Sequence, residues 1–220
     1  MTLQGSASGT RRLTSRGAAT RARIVESASE LMLARGVAAT TLDEVMAASG
    51  TGKSQFYQHF SNKTDLVREV IAFRANRILT REQGYLERVD TLSGLDRWRV
   101  AVVQRVTTRR GAHGCELGSL VSELADQDED ARLALARHFA SWEALLVAAL
   151  ERMRDKHVLR DEADPRTLGT GIMAALQGGY LMAQMAKDGA PMHTALEMAF
   201  DHVRSFAAGR ELETSSPARP

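Results

Sequence analysis

The stretch from Thr40 to Lys63, TTLDEVMAASGTGKSQFYQHFSNK, leaves this chain the fewest choices of fold. Thr41 stands three residues before Glu44, the spacing of a capping box. In that motif the hydroxyl accepts a first-turn N–H and the carboxylate reaches back to the backbone of the cap. Leu42, Val45 and Met46 then fall on one helical face. Ser49-Gly50 ends this short helix, and Gly52 opens a second one expected over Lys53 to Phe60, since Gly is an acceptable though weak N-cap. Phe56 and Phe60, four apart, face inward. Lys53, Ser54, Gln55, Tyr57, Gln58 and His59 are left outside. Two short helices around a Gly-containing turn, the second rich in exposed donors, make a helix-turn-helix.

The same residues imitate a phosphate-binding loop. Gly52-Lys53-Ser54 follows Ala47-Ala48-Ser49-Gly50-Thr51, but the strict pattern requires Gly where Ala47 stands. Such a loop also follows a buried strand. Here a capped amphipathic helix precedes it, and no Val/Ile-rich strand run occurs in the chain. A nucleotide-binding enzyme using Ala47–Ser54 is therefore the weaker alternative.

The remainder reads as helix throughout. A first helix over Arg21 to Arg35 buries Ile24, Ala28, Leu31 and Met32 and stops at Gly36. A fourth starts at Asn62 and runs to about Tyr85. Further helices follow over Ser93 to Arg109, around Leu117 to Leu124, from the Asp128 cap to Met153 and beyond, and from Asp164-Pro165, a cap with proline at the first helical position. The last is anchored by Leu196, Phe200 and Val203. The expectation is an all-α protein of about nine helices. Its parts are an Arg-rich arm over 1–19, a three-helix DNA-binding head over 20–66, a ligand-binding and dimerisation body over 67–208, and a tail over 209–220. The arm is read as disordered, and its arginines (Arg11, Arg12, Arg16, with Arg21 and Arg23 just inside the helix) suit either a solvated tail or contact with phosphates and the minor groove. The tail is also expected to be disordered.

Composition removes other classes. With a net charge of +2, nucleic-acid affinity must come from local patches. One cysteine, Cys115, leaves no internal disulfide and no Cys-rich zinc site, and suits a reducing cytoplasm. The start, MTLQGSASGT, has no apolar signal core, and the run Ile172 to Ala186, interrupted by Gln177 and Gln184, is too short to span a bilayer. No Ser/His/Asp, paired-carboxylate or HExxH constellation stands out, so no enzyme activity and no cofactor are expected. His113 and Cys115 alone do not close a metal site.

The segment from Thr20 to Ile71 resembles the N-terminal domain of TetR-family transcriptional regulators. The matching residues are Ile24, Ala28, Leu31, Gly36, Thr40, Thr41, Ala48, Gly50, Tyr57, Phe60, Lys63 and Leu66. The phrase GCELGSLVSELAD, from Gly114 to Asp126, is similar to a segment recurring in one branch of that family. The resemblance implies a recognition helix in the major groove of double-stranded DNA. Lys53 would then suit guanine, and Gln55 and Gln58 adenine, with Ser54 able to contact either. Tyr57 and His59 match family positions that touch phosphates or bases at the rim. Thr41 and Lys63 stand at helix starts, where phosphate is favoured. Two departures, Gly52 for the usual Ser and Ser54-Gln55 for Gly-Thr, unsettle any inherited base preference.

The resemblance further implies a homodimer on a palindromic operator, repressing until a small molecule binds the body. Gly171, Ala174, Ala175, Gly178, Gly179 and Ala183 offer a face for close helix approach, and Leu196, Phe200 and Val203 an opposing apolar surface; ordinary packing within the chain is the alternative. Trp98, Trp142, Met153, Met173, Gln177 and Tyr180 suit a pocket for a mostly apolar effector, or plain core. A DNA-binding protein without an effector shares every feature of the head.

Overall fold

The computed structural model describes residues 14–209. Among them the chain is helical: α1 (Ser15–Arg35), α2 (Leu42–Ser49), α3 (Lys53–Tyr57), α4 (Lys63–Leu86), α5 (Leu92–Thr108), α6 (Gly118–Leu124), α7 (Glu129–Asp155), α8 (Pro165–Ala186) and α9 (Ala190–Arg204). The one β feature is an isolated bridge of Leu159 with Ala207, which ties the α7–α8 loop to the residues after α9.

Caps explain where most helices begin. Asp128 accepts from Ala131 N–H at 2.9 Å, Asn62 from Asp65 N–H at 2.8 Å, and Asp164 from two N–H groups of the turn that Pro165 starts. Two caps extend helices beyond their expected starts. Thr91 accepts from Gly94 N–H and opens α5 at Leu92, and Thr14 accepts from Gly17 N–H and opens α1 at Ser15. The arm expected over 1–19 is therefore helical from Ser15. Its remaining stretch, with Arg11 and Arg12, lies outside the described residues, as does the tail after Gly209.

The chain divides into two compact units, Met1–Phe73 and Arg74–Pro220, and the division falls inside α4. In the first unit α1 packs on α2, and Ile24, Ala28, Met32, Val45, Phe56, Phe60 and Leu66 are buried. In the second, α8 packs on α7 and α9, α5 on α9 and α6 on α7. Trp98 stacks on Phe200 with ring centroids 6.2 Å apart.

The close approach of α8 and α9 depends on Gly179, where a Cβ would lie 2.7 Å from Met192 Sδ. Gly179, Ala183, Leu196, Phe200 and Val203 are thus buried within their own chain. What α8 leaves exposed is a different stripe, Gly171, Ala174, Gly178, Leu181, Met182 and Met185, with Met198 exposed on α9.

By length and composition α7, with 27 residues and a mean hydropathy of 1.3 over its most apolar window, could cross a membrane. One side of it instead forms a stripe, Leu135, Trp142, Leu146, Leu150 and Met153, buried in the second unit. Alanines at 136, 140 and 144 on the exposed side raise the mean.

Candidate nucleic-acid interface and ligand cavity

The capping box is complete. Glu44 N–H donates to Thr41 Oγ1 at 3.2 Å, and Thr41 N–H donates to Glu44 Oε2 at 2.9 Å. Arg35 pairs with the same carboxylate at 2.6 Å. The Thr41 N–H, its hydroxyl and then Arg35 hold the Glu44 carboxyl below its ordinary value. Gly50 takes the left-handed conformation, φ 60°, that lets the chain leave α2, and its N–H satisfies the terminal carbonyls. Arg23 on α1 donates to Ser49 O at 2.8 Å, closing the C-terminal end of α2.

α3 begins at Lys53 behind Gly52, which supplies no side-chain cap. The helix ends at Tyr57 rather than Phe60. Turn hydrogen bonds from Gln58, His59 and Phe60 continue it, the last two to Phe56 O. Phe56 and Phe60 are core, their centroids 5.6 Å apart.

Outside, Lys53, Ser54, Gln55 and Gln58 are exposed, and Tyr57 is 48% exposed beside Phe56 in an edge-on contact. His59 is half-buried, with its Nδ1 lacking a hydrogen-bond partner. Lys63 is half-buried and its ammonium donates to Ala38 O at 3.3 Å. Thr41 is exposed, with its hydroxyl in the cap. Arg21 and Arg23 serve the fold: Arg21 pairs with Glu69 at 2.7 Å and lies over the Phe60 ring. The surface of α3 and its C-cap thus combines one ammonium, the amides of Gln55 and Gln58, the Ser54 hydroxyl and a phenol with no carboxylate, a set that can donate both to phosphates and to base edges.

The phosphate-loop alternative fails here. Ala47–Ser49 is the last turn of α2, Lys53 opens a helix of five residues, and no strand precedes it among the described residues.

The second unit holds two adjoining cavities that share Cys115 and Tyr180. The smaller, about 30 Å³, is lined by Arg81, Arg105, Arg109, Glu116 and Trp142. The larger, about 510 Å³ and open to one side, is lined by Val121, Phe139, Gln177 and Leu181 among others. Beneath the arginines lies Glu82, fully buried. It receives Arg81 Nε at 2.7 Å, Arg105 Nη2 at 3.0 Å and Trp98 Nε1 at 2.6 Å. Arg109 lies 3.7 Å from Glu116.

Among the described residues of the second unit, three buried donors have no nitrogen or oxygen acceptor: Arg105 Nη1, Trp142 Nε1 and Gln177 Nε2, the last beside the Cys115 sulfur. Burial pushes the Cys115 thiol and the Tyr180 phenol up, so both stay protonated at neutral pH. A protonated, buried thiol is a poor nucleophile. Among the described residues, no group of three His, Cys, Asp or Glu is placed to hold a metal ion.

Of the six residues expected around a pocket, Trp142, Gln177 and Tyr180 line these cavities. Trp98 is held by Glu82 and Phe200 instead, and borders a separate shallow cleft beside Tyr85. Met153 and Met173 are buried helix packing and line neither cavity, because adaptable apolar side chains at helical spacing fill the core first. The arginines and Glu82 escaped the sequence reading. The signal for Glu82 was an acid on the buried stripe of α4 between Ile78 and Leu86.

Comparison with known proteins accounts for both units. Residues 24–70 match the family profile of bacterial regulatory proteins of the tetR family, and residues 92–198 match the C-terminal domain of LmrA/YxaF-like transcriptional regulators. The chain is 27% identical to the uncharacterized helix-turn-helix regulator YxaF of Bacillus subtilis, over 82% of this chain and 92% of that protein. It is 27% identical to the transcriptional repressor NemR of Escherichia coli, over 86% and 94%. The solved structure of a TetR-family regulator from Cytophaga hutchinsonii superposes with a TM-score of 0.80 over 90% of this chain and 100% of the other at 18% identity, which shows the shared fold. With one profile on the capped helix-turn-helix and another on the helical unit that follows, this chain belongs to the TetR family of transcriptional regulators, DNA-binding proteins and not enzymes.

Proposed function

We propose that the protein is a homodimeric repressor that holds a palindromic operator and releases it when a small molecule occupies the second unit. The observation that carries this reading is the carboxylate-free, donor-rich outer surface of α3, set on a helix-turn-helix whose turn is closed by Gly50 and Arg23. Lys53, Ser54, Gln55 and Gln58 read base edges, while Thr41, Tyr57, His59 and Lys63 position the phosphates. Lys63 must exchange its long, solvent-accessible bond to Ala38 O for a phosphate, a small cost.

One such head binds weakly. A two-fold dimer places two α3 helices about 34–36 Å apart, or a multiple of that, so the operator is an imperfect palindrome. The exposed stripe of α8 with Met198 supplies the dimer surface. The name of the E. coli relative, a transcriptional repressor, supports repression over activation. The site of action is the cytoplasm, where DNA is. An effector that binds the body better in a second conformation shifts the population. Because α4 belongs to both units, a change in its tilt reaches the head, and a loss of a few kcal/mol in DNA affinity suffices for a switch. The competing reading, a DNA-binding protein without an effector, is disfavoured by the cavities and their unpartnered donors.

The test is titration of the protein onto the DNA flanking its own gene at two salt concentrations, beside Tyr57→Ala and Lys63→Ala. Specific, salt-sensitive binding that each variant weakens supports the reading. Absence of specific binding there and on a random-sequence library refutes it.

A further inference from the structure

The cavities of the second unit say what kind of molecule they accept. Among the described residues of the second unit, the three buried side-chain groups without a partner, Arg105 Nη1, Trp142 Nε1 and Gln177 Nε2, are all donors. Trp142 is 1% exposed, so its N–H has no access to bulk water. A buried donor without an acceptor costs about 1–3 kcal/mol, and buried polar groups are nearly always paired. Charge points the same way. Arg81, Arg105 and Arg109 pair with Glu82 and Glu116, three guanidiniums to two carboxylates at the smaller cavity, and Glu123 stands on the lining of the larger one. Cys115 and Tyr180, both neutral, add donors and no competing anion. The volumes then sort the ligand into parts. About 30 Å³ has room for a small group of a few heavy atoms beside the arginines, while about 510 Å³ between Val121, Phe139 and Leu181 holds an apolar body.

We propose that the second unit binds an amphipathic organic anion, with a carboxylate received by Arg105, Arg109 and the Trp142 N–H, and an apolar, ring-sized body lying along Phe139 and Leu181. The carboxylate supplies acceptors to donors that now have none, and its charge meets the guanidiniums of the smaller cavity. The Gln177 amide meets a second acceptor carried on the body. This rests on the reading that the second unit takes the effector, and it narrows that effector from mostly apolar compounds to acids with an apolar body.

The experiment uses the full chain and three probes of one shape: 2-naphthoate, its neutral amide 2-naphthamide, and the cation 2-naphthylmethylammonium. Binding is measured by calorimetry and by thermal shift, and DNA release is measured separately with the same compounds. The expected result is that the carboxylate binds at least about tenfold tighter than the amide, and the cation not at all. Trp142→Phe, which keeps an aromatic ring and removes the N–H, and Arg109→Gln, which lies outside the Glu82 cluster, should each weaken the carboxylate about tenfold and the amide by less. Equal binding of acid and amide, preference for the cation, no binding of the carboxylate, or unchanged acid affinity in both variants overturns the proposal. Binding of the acid without DNA release keeps the proposal and overturns the effector reading. Release by the amide or the cation alone does the reverse.

Discussion

Thr41 is tied to Glu44 through both its N–H and its hydroxyl, and Glu44 is tied in turn to Arg35. Removing the hydroxyl strips the N-cap of α2, a loss worth about 1 kcal/mol for typical caps. Thr41→Ala should therefore unfold at a lower denaturant midpoint with an unchanged slope, and an unaltered midpoint would mean that the box contributes nothing. The converse change lies at Gly52. It caps α3 in an extended conformation, and a Cβ there meets nothing within 4 Å. Gly52→Ser should stabilise the protein by a few tenths of a kcal/mol through the added hydroxyl acceptor.

The carboxyl of Glu44 titrates below its ordinary 4.5 because of the Thr41 N–H first, then the hydroxyl, and less because of Arg35. A depressed folded value means the stabilisation is present above the unfolded pKa and is lost as pH falls through the folded one. Wild type should thus exceed Glu44→Gln in melting temperature near neutrality, and the gap should close as pH is lowered below 4.5. A gap that stays constant with pH would show that the carboxylate charge plays no part. At this scale the sequence was readable where partners are near neighbours, as in Thr41 with Glu44. Arg23, whose carbonyl partner at Ser49 lies 26 positions away, read as either solvated or touching phosphate because nothing local announces its bond.

At the scale of elements, spacing and caps were enough to locate the helices, and the errors fell at ends and on buried charges. α1 starts earlier because Thr14 caps it, a threonine within a polar run where no apolar stripe marks a start. α4 shows the second kind of error. Its buried side carries Ile71, Arg74, Ala75, Ile78, Glu82 and Leu86, and apolar periodicity alone skips the two charged members. Their presence makes sense only with partners from other elements: Glu116 O for Arg74, and Trp98 with Arg105 for Glu82. Glu82→Ala would leave Arg81, Arg105 and the Trp98 N–H without their acceptor. Removing one partner of a buried pair costs about 3–5 kcal/mol, and partial solvent access of the two arginines argues for about 3. Chemical denaturation should show that loss with helical content retained in the surviving folded state. A loss under about 1 kcal/mol would mean that water replaces the carboxylate and that the cluster is already wet.

For the whole molecule, the sequence indicated a two-part helical regulator, and the small-residue face it offered on α8 divides in the structure, with Gly171, Ala174 and Gly178 exposed and Gly179 and Ala183 buried. Small residues on α8 read as a single face, yet Gly179 serves α9 of the same chain, because only a missing Cβ admits Met192, and Ala183 is buried as well. The side left free carries Leu181, Met182 and Met185, the last 71% exposed, and Met198 on α9 is 70% exposed. Large apolar side chains at such exposure, aligned on one helix and joined by small residues, mark an association surface more than a solvated one. Burying each methionine is worth about 1.5–3 kcal/mol, and two-fold symmetry counts every contact twice. Met182→Glu with Met185→Glu should therefore raise the dimer dissociation constant by several orders of magnitude. These two positions do not line the cavity, whereas Leu181 does, so ligand binding at 2-naphthoate concentrations that saturate wild type should persist. Sedimentation velocity should show a monomer of about the chain mass of 24.0 kDa with unchanged helical content. Operator affinity should fall with it, since a single head loses the second half-site. A variant that still sediments as a dimer moves the interface elsewhere. A wild-type monomer that nevertheless binds a palindrome tightly would remove dimerisation through α8 from the mechanism altogether.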